Sequence, residues 1–209
     1  MDAQRAPVLD GEFHKRTPVY VLFMGRMSAQ TCEAIYSTVN GTRIQGHEDI
    51  SLNIITTGGD CTPAEWLFEE LQSMVSRGMR LSTHNAGFVN SAGIYPYLAG
   101  ERRSAAPEST FLFHQPKMLD ERGVIGIPTL GIEDFIQLIT EKKLHRMLTD
   151  RTGMTEHEAI ELCGPTDRIL TPEEASRAGI AHDIHNAVIP PNAELIVLNF
   201  KETMEGTVV

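Results

Sequence analysis

The sequence alternates apolar segments of strand length with helical segments that carry capping signals, and this alternation constrains the fold most. VYVLFM, residues 19–24, is a continuous apolar run of the kind that forms strands buried on both faces. ISLNIITT, residues 50–57, predicts a second buried strand, which ends at a glycine pair. A helical segment follows each strand. Strands and helices in steady alternation indicate an α/β domain with a mostly parallel sheet.

Helix boundaries can be predicted from capping residues. SAQTCEAIYSTVNG predicts a helix that is capped by Ser28 and stops near Gly41. TPAEWLFEEL predicts a second helix with Thr62 as its N-cap. A long amphipathic helix is predicted over residues 132–152, closed by Gly153. The other predicted elements are a short strand (RLSTHNAG), a helix shortened by Pro96 (SAGIYPYLAG), a strand at 109–114, two capped helices (TEHEAIELCG and TPEEASRAG) and a last strand (AELIVLNF).

Length, charge and cysteine usage narrow the class of protein. A chain of 209 residues is expected to form one domain. The net charge of −10 disfavours nucleic acids and anionic membranes as partners, because phosphate surfaces repel such a chain. Three cysteines without a pairing motif fit a reducing compartment, and neither a secretory signal nor a membrane-spanning run is recognised. We therefore expect a cytoplasmic protein.

Three predicted strand ends carry groups that suit acyl chemistry: the Gly58-Gly59 pair, Ser91 and His114. Active groups of parallel sheets lie at such strand-to-helix turns. A serine hydroxyl needs a general base, and the base needs a group that orients it. Because Ser91 begins a helix, backbone N–H groups there would face negative charge that develops on a substrate oxygen. The sequence thus contains a candidate serine nucleophile with a candidate base.

Each of these signals also has an ordinary structural explanation. A glycine pair forms turns, a serine caps helices, and a histidine can be a hydrogen-bonded core residue. The nucleophile-elbow motif is absent, since position 89 is valine. Five downstream carboxylates could orient the histidine: Asp120, Asp134, Asp150, Asp167 and Asp183. Asp167, in the predicted loop GPTDRIL between two helices, is only slightly preferred over Asp120 on chemical grounds.

No metal or cofactor site is predicted. His182 and His185, in HDIH, are the only close histidine pair in the sequence. They are not at the i, i+4 spacing that places two ligands on one helical face, and no third ligand clusters near them.

Taken in order, four segments resemble ClpP, the proteolytic subunit of the Clp protease: the GG pair after a buried strand, NSAG, FLFHQP and TDRILTPEEASRAGI. The last two are the most specific. The resemblance extends from about Val19 to about Ile184. The order serine, histidine, aspartate also differs from the orders in α/β-hydrolases, chymotrypsin and subtilisin, and it is the order of ClpP-like peptidases.

The resemblance implies a role for each matching residue. Ser91 would be the nucleophile, His114 the general base and Asp167 the orienting carboxylate. The backbone N–H groups of Gly59 and Ala92 would form the oxyanion hole. The substrate cleft would include Gly58, Asp60, Gln115 and Pro116.

The resemblance also implies an architecture and an assembly. It predicts the ClpP/crotonase fold, with repeated ββα units and a protruding strand–helix handle at about residues 117–152. Residues 1–18 would be a flexible arm, 19–186 the peptidase domain, and 187–209 a C-terminal strand with a loose tail. In the family, handles interdigitate and stack two heptameric rings. The implied partners are polypeptide substrates, other copies of the chain and an AAA+ unfoldase.

Several positions depart from the family pattern. Thr56-Thr57 replace the usual Ser-Pro before the glycines, and Ala92 replaces the methionine that usually follows the nucleophile. Asp60 stands where a small or apolar residue is common, so we expect it to disfavour acidic peptides. Pro165-Thr166 replace an acid–arginine pair that couples ring contact to activity, and the family's axial-loop segment is not recognisable in residues 1–18.

The leading hypothesis is therefore a ClpP-type serine endopeptidase. Two alternatives remain open. One is a ring-forming regulatory subunit with a poorly assembled site. The other is a crotonase-like acyl-CoA enzyme, in which the oxyanion N–H groups would bind a thioester oxygen while the serine, histidine and aspartate would have no explanation.

Overall fold

A computed structural model describes residues 18–115, 119–120, 123–124 and 132–200, with backbone alone at 119–120, 123–124 and 132–138. The strands are β1 (Val19–Met24), β2 (Asp49–Thr56), β3 (Arg80–Asn90), β4 (Arg102–Ala105), β5 (Thr110–Phe113), β6 (Leu119–Asp120), β7 (Gly123–Val124), β8 (Arg168–Leu170), β9 (Asp183–Ile184) and β10 (Leu195–Asn199). The helices are α1 (Ala29–Ile44), α2 (Cys61–Ser76), α3 (Ile94–Leu98), α4 (Ile132–Thr152), α5 (Glu156–Leu162) and α6 (Pro172–Arg177), and Ser91–Gly93 forms a 3-10 helix.

The described strands form a mixed α/β fold around one sheet. Its order is β10-β1-β2-β3-β4-β9, and β5 pairs with both β3 and β8. Every pair in this sheet is parallel except β5 with β8. The predicted α/β class with a mostly parallel sheet is therefore confirmed.

The two faces of the sheet differ in polarity. Val21, Leu52 and Leu81 are fully or almost fully buried in the hydrophobic core, together with residues of α1, α2 and α3. Neighbouring positions such as Tyr20 and Ser82 are only half-buried. They line a polar groove of about 870 Å³, which also includes Ser51, Asn53, His84, Ser104 and His185. The prediction that residues 19–24 are buried on both faces is wrong, because this second face is a groove.

Two predicted helix boundaries are also wrong. Helix α1 has the predicted N-cap at Ser28, but it continues through Gly41 to Ile44. A helical glycine costs only about 1 kcal/mol, and burial of Thr42 keeps the last turn on the core. Helix α2 begins at Cys61 with Asp60 as its N-cap, so Thr62 lies inside the first turn rather than before it.

The other capping predictions are confirmed. Thr155 and Thr171 each form the reciprocal capping box with the residue three positions later, at the starts of α5 and α6. Helix α4 ends at Thr152, and Gly153 follows with a φ of +77°, a backbone conformation that favours glycine.

The sequence did not predict strands β4, β8 and β9, and it predicted β3 too short. Strand β3 extends to Asn90, three residues beyond the predicted strand RLSTHNAG. Strand β8 lies within the predicted loop GPTDRIL. Short strands with charged residues carry little signal of their own, because their stability comes from pairing with a neighbouring strand.

The C-terminal strand is part of the main sheet. Strand β10 pairs parallel with β1, and the ring of Phe200 packs 6.3 Å from that of Phe23.

In the predicted handle, the described parts are the antiparallel pair β6 and β7 and helix α4. Residues 1–17 of the predicted arm and the tail from residue 201 lie outside the described residues. Among the described helices, none has both the length and the hydrophobicity needed to cross a bilayer.

Candidate active site

Ser91 occupies a sharp turn between a strand and a helix. Strand β3 ends at Asn90, and Ser91 opens the 3-10 helix that leads into α3. Its φ is +51°, which makes it the only non-glycine with a positive φ in the described part of the chain. A conformation of this kind costs about 1–3 kcal/mol and is kept where the surroundings hold it. Gly93 lies against the Thr56 side chain, where a Cβ would clash.

His114 follows the end of the neighbouring strand and reaches Ser91. Strands β3 and β5 are parallel, with Asn90 opposite Leu112. The segments that follow the two strands therefore leave the sheet at the same edge. His114 Nε2 lies 2.6 Å from Ser91 Oγ. At this distance the two atoms form a hydrogen bond. A general base needs this contact with a serine nucleophile.

Asp167 lies beside His114 because β8 pairs with β5. The antiparallel register places Phe113 opposite Arg168, so the next positions along the two chains are His114 and Asp167. The Gln115 N–H also donates to the carbonyl of Gly164, at 3.1 Å. This bond holds the segment after β5 against the segment before β8. The Asp167 side chain is exposed. Strand pairing thus brings the backbone of the preferred carboxylate to the candidate base.

The other four candidate carboxylates are placed differently or lie outside the described side chains. Asp150, near the end of α4, is 3.6 Å from Arg146 in an exposed ion pair. Asp183 lies opposite Ser104 in the pairing of β4 with β9, and it lines the polar groove. The side chains of Asp120 and Asp134 are not among those described. Of the candidates with described side chains, Asp167 alone adjoins His114 in strand register.

The glycine pair is fixed against the turn after β1. The Met27 N–H donates to the Gly58 carbonyl at 2.8 Å, and the Asp60 N–H donates to the Met27 carbonyl at 2.9 Å. In this parallel bridge, the N–H and carbonyl of Gly59 itself point away from Met27. The φ values of Gly58 and Gly59, +90° and +148°, favour glycine at both positions.

The same glycine pair touches the nucleophile turn. A Cβ on Gly58 would lie 2.7 Å from Ser91 Cβ and 3.3 Å from the nitrogen of Ala92. Ala92 belongs to the first turn of its helix, where N–H groups have no partner within the helix. The arrangement can therefore present backbone donors of Gly59 and Ala92 beside Ser91, as stabilisation of an oxyanion requires.

The family model described as Clp protease matches residues 20–188, most of the chain. The chain belongs to the Clp protease family. The ATP-dependent Clp protease proteolytic subunit 3 of Rhizobium etli is 24% identical over 166 residues, which cover 78% of this chain and 82% of that protein. A solved structure of a ClpP1 mutant from Listeria monocytogenes superimposes with a TM-score of 0.67, covering 80% of this chain and 91% of that one at 21% identity. The predicted resemblance and the ClpP-like fold are confirmed.

In this Clp protease family member, two of the predicted cleft residues have partners that the sequence did not predict. The Asp60 carboxylate lies 3.0 Å from the Arg26 guanidinium, and both side chains are about half exposed. The ion pair reduces the negative charge that Asp60 presents, and its expected effect on acidic peptides stays a prediction. Gln115 Nε2 donates to Glu141 Oε1 at 2.8 Å and so joins the cleft to α4. Pro116 lies outside the described residues.

A small cavity of about 10 Å³ opens beside Ser91 and His114. Its lining also includes Cys61 and Tyr95, which sequence reasoning did not select. Tyr95 follows Ser91 by four residues, one helical turn, and Cys61 follows Asp60. These spacings are the only signal that could have indicated them.

The HDIH histidines lie in separate environments. His182 Nε2 is 2.8 Å from Arg103 Nη2, whereas the His185 ring stacks on His84 at 5.6 Å. Among the described residues, no three histidine, cysteine, aspartate or glutamate side chains cluster as a metal ion would require.

Proposed function

We propose that this chain is a serine endopeptidase of the ClpP type that cleaves unfolded polypeptides or peptides. The observation that carries the proposal is the 2.6 Å hydrogen bond between His114 Nε2 and Ser91 Oγ, at a serine held in a strained turn. Membership in a peptidase family and the backbone donors beside Ser91 support it.

The proposed reaction proceeds through an acyl-enzyme. Ser91 Oγ attacks the scissile carbonyl while its proton passes to His114 Nε2, and the carbonyl oxygen becomes an oxyanion. The N–H groups of Gly59 and Ala92 stabilise that charge. Collapse of the intermediate breaks the C–N bond, and His114 gives its proton to the leaving amine. Water then attacks the ester while His114 Nε2 takes its proton. Collapse of the second intermediate returns that proton to Ser91 Oγ and releases the carboxylic product.

Asp167 is proposed to orient His114 and to stabilise the imidazolium that forms during both steps. The strand register that sets Asp167 beside His114 supports this role.

We further propose that copies of the chain form stacked heptameric rings and that an AAA+ unfoldase delivers polypeptides to them. The name of the Rhizobium etli relative describes that protein as ATP-dependent, which supports such a partner here. A cytoplasmic location remains part of the proposal.

Two observations favour a second candidate, a ring-forming subunit of low activity. The Asp167 carboxylate is exposed, and Pro165-Thr166 stand where the family has an acid–arginine pair. A ring subunit of this kind would assemble normally but would react poorly with peptides. The third reading, an acyl-CoA enzyme, gives no role to the Ser91–His114 bond.

A fluorophosphonate probe and a fluorogenic peptide separate these candidates. We expect wild-type protein to react with both, and Ser91→Ala to lose labelling and about a millionfold in turnover. Ser104→Ala is the matched control, because Ser104 also bonds a histidine but lies in the middle of β4. Labelling of Ser91→Ala would contradict the proposal. An intact ring by native mass that neither labels nor cleaves would identify the low-activity subunit.

A further inference from the structure

The chain continues beyond the segment that the Clp protease family model matches, which ends at residue 188. Strand β10 lies in this continuation and pairs in parallel with β1. The Phe200 N–H extends the pairing, since it donates to the Met24 carbonyl at 2.9 Å. Residues 201–209, KETMEGTVV, follow in the sequence. The end of β10 therefore fixes the place from which this segment starts.

Phe200 lies at the carboxyl edge of the sheet, on the face that carries α1. Because β10 and β1 are parallel, both leave the sheet at this edge, and β1 leads through Gly25 into α1. A Cβ on Gly25 would lie 3.0 Å from Phe200 Cβ. The Phe200 ring packs 6.3 Å from the ring of Phe23, which is fully buried in the core to which α1 contributes. Residues 201–209 therefore begin close to the start of α1.

Helices α1 and α2 enclose an open pocket of about 510 Å³ toward their N-terminal ends. Two of its lining residues are aromatic, and the rings of Tyr36 and Trp66 lie 5.2 Å apart at an angle of 51°. Trp66 is 40% exposed, although tryptophan is highly buried on average. The other lining residues are Ala29, Glu33, Ser37, Thr62 and Pro63. A concave, largely apolar site of this volume is typical of a place where a ligand or a peptide segment binds.

The length of chain after Phe200 suits this pocket. Ala29, which lines the pocket, is four residues beyond Gly25, and four residues span at most about 14 Å. Met204 is likewise four residues beyond Phe200, and it is the first apolar side chain of the segment. A methionine thioether packs favourably against aromatic rings and adapts to an irregular site. The segment therefore supplies a suitable side chain at a suitable distance.

We propose that residues 201–209 dock in this pocket of their own chain, with Met204 against Tyr36 and Trp66. A segment tethered by a few residues has an effective concentration of about a millimolar, so a weak contact keeps it bound in preference to a separate peptide. Docking covers the exposed Trp66 ring and fastens the C-terminal continuation to the helix layer. This contact does not depend on peptidase activity.

Trp66 is the only tryptophan of the sequence, so its fluorescence reports on the pocket directly. Replacement of residues 201–209 by a glycine–serine segment of equal length should raise the acrylamide quenching constant about twofold, because docking covers much of the exposed aromatic surface. Met204→Ser should raise it to the same extent, whereas the neighbouring Glu202→Gln should keep the wild-type value. Circular dichroism checks that each variant is folded. Equal quenching of wild-type protein and the glycine–serine variant would overturn the proposal.

A cross-link identifies which chain provides the segment. Ser37→Cys combined with Met204→Cys should form a disulfide with diamide, and the product should migrate as a monomer on a denaturing gel. Ile44→Cys with Met204→Cys is the matched control, since Ile44 is exposed but lies about 10 Å further along α1. Cross-linked dimers would place the segment on a second copy, and absence of the Ser37 cross-link would leave the pocket to another ligand; either result would overturn docking within the chain. Neither measurement uses peptide turnover, so failure here leaves the peptidase proposal standing.

Discussion

Within the described part of the chain, two serine–histidine hydrogen bonds lie on or beside the main sheet, and their comparison shows what makes one of them a candidate active site. His114 Nε2 lies 2.6 Å from Ser91 Oγ, and His84 Nδ1 lies 2.9 Å from Ser104 Oγ. Each joins two residues that lie on, or directly after, neighbouring strands of the same sheet. The hydrogen bond alone therefore does not distinguish them.

The backbone at each serine does distinguish them. Ser91 lies beyond the end of its strand, at a φ of +51°, next to N–H groups that the turn leaves available. Ser104 lies within β4, directly opposite His84, and its carbonyl accepts from Tyr97. A serine in the middle of a strand has no free backbone donors nearby, because the ladder uses them. Position at a strand end, more than the hydrogen bond to a histidine, is what makes Ser91 the candidate nucleophile.

The strongest test of this difference replaces the two histidines in the same way. We expect His114→Asn to lower kcat by about a millionfold, because loss of the base costs as much as loss of the nucleophile. His84→Asn should keep activity within a few-fold. Peptide turnover by both variants, with folding checked by circular dichroism, measures the contrast. Equal losses would make the two pairs equivalent and would remove the basis for choosing Ser91.

A carboxylate accompanies each pair and allows a second comparison. Asp167 adjoins His114, and Asp183 pairs in register with Ser104. Asp167→Asn should reduce kcat about ten thousandfold, as expected when the histidine loses its orienting group. Asp183→Asn should leave kcat nearly unchanged. If Asp167→Asn were fully active, the orienting role would pass to another residue.

Smaller effects are expected from the glycine that touches the nucleophile turn. Gly58→Ala would place a Cβ 2.7 Å from Ser91 Cβ at a φ of +90°, so the nucleophile must shift. A displacement near 1 Å costs about a hundredfold in rate. Gly87→Ala in β3 is the control, since its Cβ would meet the Ile55 side chain at an ordinary 3.8 Å. Comparable kcat/KM values for the two variants would show that the turn tolerates movement.

The His84–Ser104 pair should affect the stability of the fold rather than peptide turnover. Burial, with His185 as the next cause, lowers the pKa of His84 to about 4 from an ordinary 6.5. Between these values the unfolded chain binds more protons than the folded chain, so stability present above pH 6.5 is lost as the pH falls toward 4. The loss from this group is on the order of 3 kcal/mol. Urea unfolding of wild-type protein and His84→Asn should converge at low pH, and parallel pH profiles would contradict this account.

Sequence reasoning predicted features that depend on local chemistry. The capping boxes at Thr155 and Thr171, the parallel sheet and the positions of Ser91 and His114 at strand ends all follow from short-range patterns. The preference for Asp167 came mainly from the family resemblance, because its neighbourhood to His114 depends on strand β8, which has no local signal.

The remaining features arise from contacts between distant segments. Arg26 pairs with Asp60 across 34 positions, and Tyr95 and Cys61 line the same small cavity from two different helices. Gly41 was predicted to end a helix, but packing of the last turn outweighs its weak propensity. Tertiary burial decides these cases, and a single sequence does not display it.

The most direct test of the central claim is to react the wild-type protein with a fluorophosphonate and to map the adduct by peptide mass spectrometry. The account predicts one covalent adduct per chain, on Ser91, with Ser104 unmodified. An adduct on Ser104 or on any other residue in place of Ser91, or no adduct at all on the assembled protein, would contradict it.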